Sequence, residues 1–153
     1  MNLRQLLSAE RVATDVTVED WEAAVRAVGR LMVDTGVVEE RYIDGMIDTA
    51  KELGPYIVIA PGLALPHSRP EDGVLQPCMA LVTLKPPVDF GNPDNDPVDV
   101  VIAFGAVDHE QHVEALRDMA TILSEPSNLA ALHAAKTKDQ ILEIMWSAPE
   151  ATG

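Results

Sequence analysis

The chain of 153 residues contains a single cysteine, few basic residues and no long apolar run. Because Cys78 has no second cysteine to pair with, no intramolecular disulfide can form, which favours a reducing compartment. No segment approaches the ~20 apolar residues that cross a bilayer, and residues 1–11 lack the continuous apolar stretch of a secretory signal. We therefore expect a cytoplasmic protein that meets a membrane only through a partner.

Lys and Arg are also scarce, because 11 of them stand against 25 acidic residues and give a formal net charge of -14. This charge repels nucleic-acid phosphates and anionic lipids at long range, so nucleic acid is not an expected partner. The same field favours encounter with a basic protein surface, although acidity also serves solubility alone. The P-loop and G-x-G-x-x-G motifs are absent, so neither supports binding of ATP or a dinucleotide.

Periodicity predicts two helices, a set of short strands and then three more helices. Thr17 and Asp20 resemble a capping box for the first helix, and the Gly54-Pro55 pair ends the second. Residues 85–97 form a predicted long loop between strands. The predicted helices are centred on 21–32, 43–53, 112–123, 129–132 and 141–145, and the predicted strands on 57–59, 63–65, 78–84 and 98–104.

The strand predicted at 98–104 is almost entirely apolar, which is typical of a central strand covered on both faces by helices. We expect an α/β fold in which a mixed β-sheet is flanked by helices on both faces, a single-domain layered sandwich. This domain is predicted to span residues 1–148, followed by a frayed C-terminal tail at 149–153.

His67 is the first candidate reactive residue, in the segment LALPHSRPEDG directly after a short predicted strand. Its imidazole is mostly neutral at neutral pH, so one ring nitrogen has a lone pair that can attack phosphorus. Arg69 can donate charge-assisted hydrogen bonds to a transferring phosphoryl group, and Ser68 can add a donor. The alternative is an exposed loop histidine beside an arginine that pairs with Glu71 or Asp72.

His112 is the second candidate, one turn into a helix that Asp108 and Gln111 are predicted to cap. It shares a helical stripe with Leu116 and Met119, which directs it towards the core. The positive end of the helix tends to keep an imidazole neutral and to attract anions, which suits a phosphate neighbour. The alternative is a hydrogen-bonded histidine at the edge of the core.

Metal and thiol chemistry have little support in the sequence. His109 and His112 are three residues apart rather than the four of H-E-x-x-H, and no further Cys or His pair completes a metal site. The acidic segment 91–96 matches a calcium loop in composition only, so turn formation accounts for it. Cys78 begins an apolar run and is predicted to be buried, while His133 is predicted in the last turn of a short helix.

Two segments resemble a known family. Residues 54–76, GPYIVIAPGLALPHSRPEDGVLQ, resemble the active-site region of mannitol/fructose-type IIA proteins of the sugar phosphotransferase system (PTS), the EIIA type-2 family. The P-H-x-R core of this segment contains His67 and Arg69, and the segment looks most like the ascorbate-type branch of the family. Residues 101–123 resemble the strand and helix that carry a second histidine in these proteins, and His112 matches that histidine.

The resemblance implies a phosphotransferase with a phosphohistidine intermediate and no cofactor or metal. His67 would accept phosphate from the carrier protein HPr and give it to a cysteine of the IIB component, for uptake of a sugar such as ascorbate through the membrane component IIC. His112 would orient the phosphorylated ring, Arg69 would fix the phosphate, and Ser68 replaces the small residue common at that position. The implied alternative is a phosphorylation-dependent regulatory module of the nitrogen type that binds a regulator or transporter.

Overall fold

A five-stranded mixed sheet forms the centre of the computed structural model, which describes residues 3–147. The strands are β1 Val12–Val16, β2 Val58–Ala60, β3 Leu63–Ala64, β4 Cys78–Val88 and β5 Val98–Gly105. Their spatial order is β1-β4-β5-β3-β2. The pairs β4–β5 and β2–β3 are antiparallel, whereas β1–β4 and β3–β5 are parallel. The predicted mixed sheet is confirmed.

Helices cover both faces of this sheet. In the described residues they are α1 Leu3–Leu6, α2 Trp21–Asp34, α3 Arg41–Leu53, α4 His109–Leu123, α5 Pro126–Ala134 and α6 Lys138–Met145. One core lies between the sheet and α2 and α3, and the other lies between the sheet and α1, α4, α5 and α6. Val101 and Ala103 of β5 enter the first core, and Val100 and Ile102 enter the second. The apolar run of β5 therefore faces helices on both sides, as predicted.

Side-chain caps begin several of the helices. The carboxylate of Asp20 accepts a hydrogen bond from the Ala23 backbone N–H at 2.9 Å, so α2 begins after Asp20. The capping box predicted for Thr17 is wrong, because the Thr17 hydroxyl donates instead to the Lys85 carbonyl at 3.0 Å. Asp108 caps α4 as predicted. Gly54 ends α3 with a φ of 60°, a conformation that glycine adopts without strain.

Two features of the sheet differ from the predicted strands. The sequence does not predict β1, an edge strand in which only Val12 is buried and Asp15 has a φ of 54°. Strand β4 continues to Val88, so its last residues occupy the start of the predicted 85–97 loop. These residues pair with β5 only at Val88 and Val98, beyond a break in the ladder. The frayed tail predicted at 149–153 lies outside the described residues.

The acidic segment after β4 is organised by one carboxylate. Asp96 accepts hydrogen bonds from the backbone N–H groups of Phe90 at 3.0 Å, Gly91 at 2.9 Å and Asn92 at 2.9 Å. The interpretation of this segment as turn chemistry is therefore confirmed. Within residues 3–147, no helix is long and apolar enough to cross a membrane.

Candidate active site

His67 lies just beyond β3, where the chain still runs parallel to β5 and forms an isolated bridge with Phe104. Its ring Nδ1 lies 2.8 Å from the carbonyl oxygen of Leu65. Because a carbonyl oxygen can only accept, Nδ1 carries the proton and a neutral ring keeps its lone pair on Nε2. Nε2 is not buried and has no protein partner in the described residues. The backbone thus presents one chosen ring nitrogen to the outside.

Phe104 supports both candidate histidines. The His67 ring stacks on the Phe104 ring with centroids 5.1 Å apart and planes at 25°. The His112 ring lies on the same phenyl group at 5.1 Å and 52°. The two imidazoles meet edge to face at 5.5 Å. The structure therefore brings together the two histidines that the sequence singled out, and both of their rings contact the fully buried Phe104.

The His112 ring is partly buried at the N-terminal end of α4. Its Nδ1 is shielded from solvent and has no hydrogen-bond partner within residues 3–147, so Nε2 is the nitrogen open to a ligand. Burial lowers the pKa of His112 below its usual value, and positive charge on His67 or His109 lowers that pKa further. Because each cause disfavours the imidazolium, the His112 ring is neutral at neutral pH.

An open cleft of about 470 Å³ reaches His112 of this pair, whereas His67 is not among its lining residues. It is lined by Arg69, Pro70, Glu71, Val107, Asp108, His109 and His112. Arg69 is exposed, and the ion pairs of the described residues do not join it to Glu71 or Asp72. Its guanidinium is therefore available to an anion in the cleft, and the alternative of an arginine paired with its neighbours is not what the structure shows.

Ser68 is turned into the protein, with only 3% of its surface exposed. Its hydroxyl donates to the carboxylate of Asp72 and lies 3.4 Å from the hydroxyl of Thr49. Its backbone N–H donates to the hydroxyl of Tyr42 at 3.0 Å. Tyr42 stands 26 residues before Ser68 in the chain, so no local motif connects it with the candidate site.

The other singled-out residues lie outside the histidine pair. Cys78 is buried, and burial raises the pKa of its thiol to about 12, which confirms its predicted packing role. His133 is in the last turn of α5 as predicted, but its partners are the carboxylate of Asp99 and the carbonyl of Pro61. No group of three or more His, Cys, Asp or Glu in the described part of the chain is placed to hold a metal ion.

Comparison with known proteins identifies the family of the chain. Residues 5–147 match the model of the family described as "Phosphoenolpyruvate-dependent sugar phosphotransferase system, EIIA 2". The chain is 39% identical over 147 residues to the ascorbate-specific PTS system EIIA component of Escherichia coli (strain K12), which covers 95% of this chain and 96% of that protein.

Solved structures show the same fold. The mannitol-specific cryptic phosphotransferase enzyme IIA CmtB of Escherichia coli is 31% identical, with a TM-score of 0.84 over 95% of this chain and 98% of that one. A complex of enzyme IIAMTL and phosphorylated enzyme IIBMTL of Escherichia coli contains a chain that is 27% identical, with a TM-score of 0.80 over 91% of this chain and 96% of that one. The resemblance carried by residues 54–76 and 101–123 is therefore confirmed. The chain belongs to the EIIA type-2 family of the phosphoenolpyruvate-dependent sugar phosphotransferase system.

Proposed function

We propose that the protein is a phosphoryl carrier that accepts phosphate from phospho-HPr on Nε2 of His67 and donates it to a cysteine of a IIB component. One observation carries the proposal: the Leu65 carbonyl lies 2.8 Å from Nδ1 and so leaves the lone pair on the outward-facing Nε2. Membership of the EIIA type-2 family supports phosphotransfer as the chemistry of this site.

Both transfers are displacements at phosphorus. In the first, the Nε2 lone pair forms an N–P bond while the bond to the donor histidine breaks, and that electron pair returns to the donor ring. Nδ1 keeps its proton, so the phosphorylated ring stays bonded to Leu65. In the second, a cysteine thiolate attacks the same phosphorus and Nε2 leaves with its electron pair. These steps balance without a nucleotide, a metal ion or a cofactor.

The neighbouring residues have distinct proposed roles. His112 is neutral, and its accessible Nε2–H donates to a phosphoryl oxygen, since its Nδ1 is shielded. Arg69 supplies positive charge from the wall of the same cleft. Ser68 as a phosphate-binding residue stays a prediction, because its hydroxyl now donates to Asp72 and would have to turn outward.

The surface beside the cleft suits transient contact with a basic partner. Val107 and Val113 are 42% and 39% exposed, and the acidic side chains of Glu71 and Asp108 line the cleft. With a net charge of -14, the protein would attract a basic face of HPr or IIB. The complex of a related IIA with phosphorylated IIB supports the second partner. Because one relative is ascorbate-specific, we propose that the protein acts in the cytoplasm in ascorbate uptake. It would reach the membrane through IIC.

The test incubates the protein with phosphoenolpyruvate, enzyme I and HPr, and then adds the cognate IIB. Intact mass should show one acid-labile phosphate on wild type and on His109→Ala, a matched control in the same cleft, and none on His67→Ala. The phosphate should then move to IIB. Wild-type protein that stays unphosphorylated while HPr is phosphorylated would overturn the proposal. Phosphorylated protein that transfers no phosphate to IIB would favour the regulatory alternative.

A further inference from the structure

The hydroxyl of Tyr42 joins two segments of backbone at the histidine pair. It donates to the carbonyl oxygen of Phe104 at 2.7 Å and accepts from the backbone N–H of Ser68 at 3.0 Å. A second acceptor, the Ser68 carbonyl, lies farther away at 3.2 Å. Tyr42 has no exposed surface, and burial raises the pKa of its phenol, so the hydroxyl stays protonated and no water competes for it.

Each joined segment carries one part of the candidate site. Ser68 directly follows His67, and Phe104 bears the ring on which His67 stacks. The Tyr42 hydroxyl therefore fixes the distance between the nucleophile's backbone and its aromatic support. The ring of Tyr42 is itself held in the first turn of α3, within the core beside the sheet. Helix α3 thus sets the position of the His67 loop through the side chain of Tyr42.

We propose that Tyr42 is a positioning residue for phosphoryl transfer: its hydroxyl holds the His67 loop against Phe104, so that Nδ1 meets the Leu65 carbonyl and Nε2 faces the donor. This inference rests on the proposed role of His67 as acceptor. Without the hydroxyl, the Ser68 N–H loses its acceptor in a buried place, and the loop must move to satisfy it. In-line transfer is sensitive to such movement, since a displacement of about 1 Å costs up to 100-fold in rate.

The experiment compares Tyr42→Phe with Tyr56→Phe, the same atomic change at the other tyrosine, which is 82% exposed. A second control, Ile47→Val, removes one methylene group from the buried face of α3 and lowers stability without removing a hydrogen bond. Each protein is assayed under conditions where circular dichroism shows it to be folded. The two readouts are the initial rate of phosphorylation by phospho-HPr and the ¹⁵N shifts of the His67 ring.

Tyr42→Phe should lower the initial rate by about tenfold and move the His67 ring from the pure Nδ1–H tautomer towards a mixture of tautomers. Tyr56→Phe and Ile47→Val should keep the wild-type rate and tautomer. A wild-type rate and tautomer in Tyr42→Phe would overturn the proposal, as would an equal loss of rate in Ile47→Val.

The ring shifts are read on unphosphorylated protein, so they separate the two ideas. If wild type accepts no phosphate, the proposed function fails, but the tautomer still decides whether Tyr42 positions His67. If Tyr42→Phe does not fold, hydrogen exchange of the Ser68 amide in wild type decides instead. Exchange as fast as in an unstructured peptide would contradict the hydrogen bond to Tyr42, whereas strong protection supports it.

Discussion

The imidazole of His67 lies flat on the phenyl ring of Phe104, with ring centroids 5.1 Å apart and planes at 25°. The same phenyl ring also contacts His112, whose ring centroid lies 5.5 Å from that of His67. One aromatic side chain near the end of β5 therefore contacts both the proposed nucleophile and its proposed hydrogen-bond donor.

Replacing Phe104 should slow phosphoryl transfer, whereas replacing a buried phenylalanine elsewhere should lower stability alone. Phe104→Leu keeps an apolar side chain but removes the flat surface under both imidazoles, so the initial phosphorylation rate should fall about tenfold. Phe90→Leu is the matched control, because Phe90 is also buried and packs against Trp21, in the other core. Both variants should lower the free energy of unfolding in urea by about 1 kcal/mol. Equal rates in the two variants would contradict the role given to Phe104.

His112 should act as a neutral donor and not as a cation. Removal of a preorganised donor to developing charge typically costs about 100-fold in rate, and we expect that loss in His112→Ala. His112→Gln keeps a neutral N–H group of similar reach, so it should recover part of the loss. Stopped-flow mixing with phospho-HPr measures both variants, with His109→Gln as the control that should retain the wild-type rate. Identical rates for His112→Ala and His112→Gln would argue against hydrogen bonding through Nε2.

Ser68→Ala distinguishes a structural hydroxyl from a phosphate ligand. Because the hydroxyl is buried and donates to Asp72, its removal should lower the free energy of unfolding by about 1 kcal/mol. If the hydroxyl keeps this partner throughout the reaction, the phosphorylation rate stays within about twofold of wild type. A larger loss of rate with unchanged stability would show that Ser68 turns outward and binds the phosphoryl group.

His133 should make stability depend on pH. Its Nδ1 faces the Asp99 carboxylate and its Nε2 lies 2.9 Å from the Pro61 carbonyl, so the doubly protonated ring serves both acceptors. The hydrogen bond with Asp99 raises the pKa of His133 in the folded protein above the ~6.5 of an unfolded chain. The native state then holds the proton more tightly. This stabilisation is complete below about pH 6.5 and is lost as pH rises through the folded pKa.

Urea unfolding of wild type and His133→Gln over a pH series measures this effect. The difference in free energy of unfolding between them should be largest near pH 6 and should shrink as pH rises above the folded pKa of His133. The lowered pKa of His112 acts in the opposite direction, but both proteins contain His112, so its effect cancels. A difference that does not change with pH would show that folding leaves the pKa of His133 unchanged, and would contradict the effect given to Asp99.

The sequence predicts the layers of the fold and the main residues of the candidate site for identifiable reasons. Strand β5 is apolar on both faces because helices cover both. Its sequence is therefore a continuous apolar run, which differs from the alternating pattern of a strand with one face exposed. His67 and Arg69 stand in one short motif beside a strand. His112 is found by helical register, since it shares a stripe with the buried Met119. These signals come from residues that are close together in the chain, so they can be recognised from the sequence alone.

The remaining features depend on contacts between distant segments. Strand β1 has one buried residue, Val12, and its Asp15 adopts a positive φ, so the alternation typical of a strand is lost. Tyr42 has the pattern of an ordinary core residue of α3, and only the folded chain shows its hydroxyl between Ser68 and Phe104. The partners of His133 are likewise invisible in sequence, because Asp99 stands 34 residues away.

The position of the phosphate on the His67 ring tests the central claim most directly. Protein labelled with ¹⁵N is phosphorylated with phosphoenolpyruvate, enzyme I and HPr. The phosphorus–nitrogen coupling is then measured by NMR, with His67→Ala as the comparison. The account predicts coupling to Nε2 of His67 alone, with Nδ1 still protonated because it remains bonded to Leu65. Phosphate on Nδ1 of His67, or on His112, would contradict it.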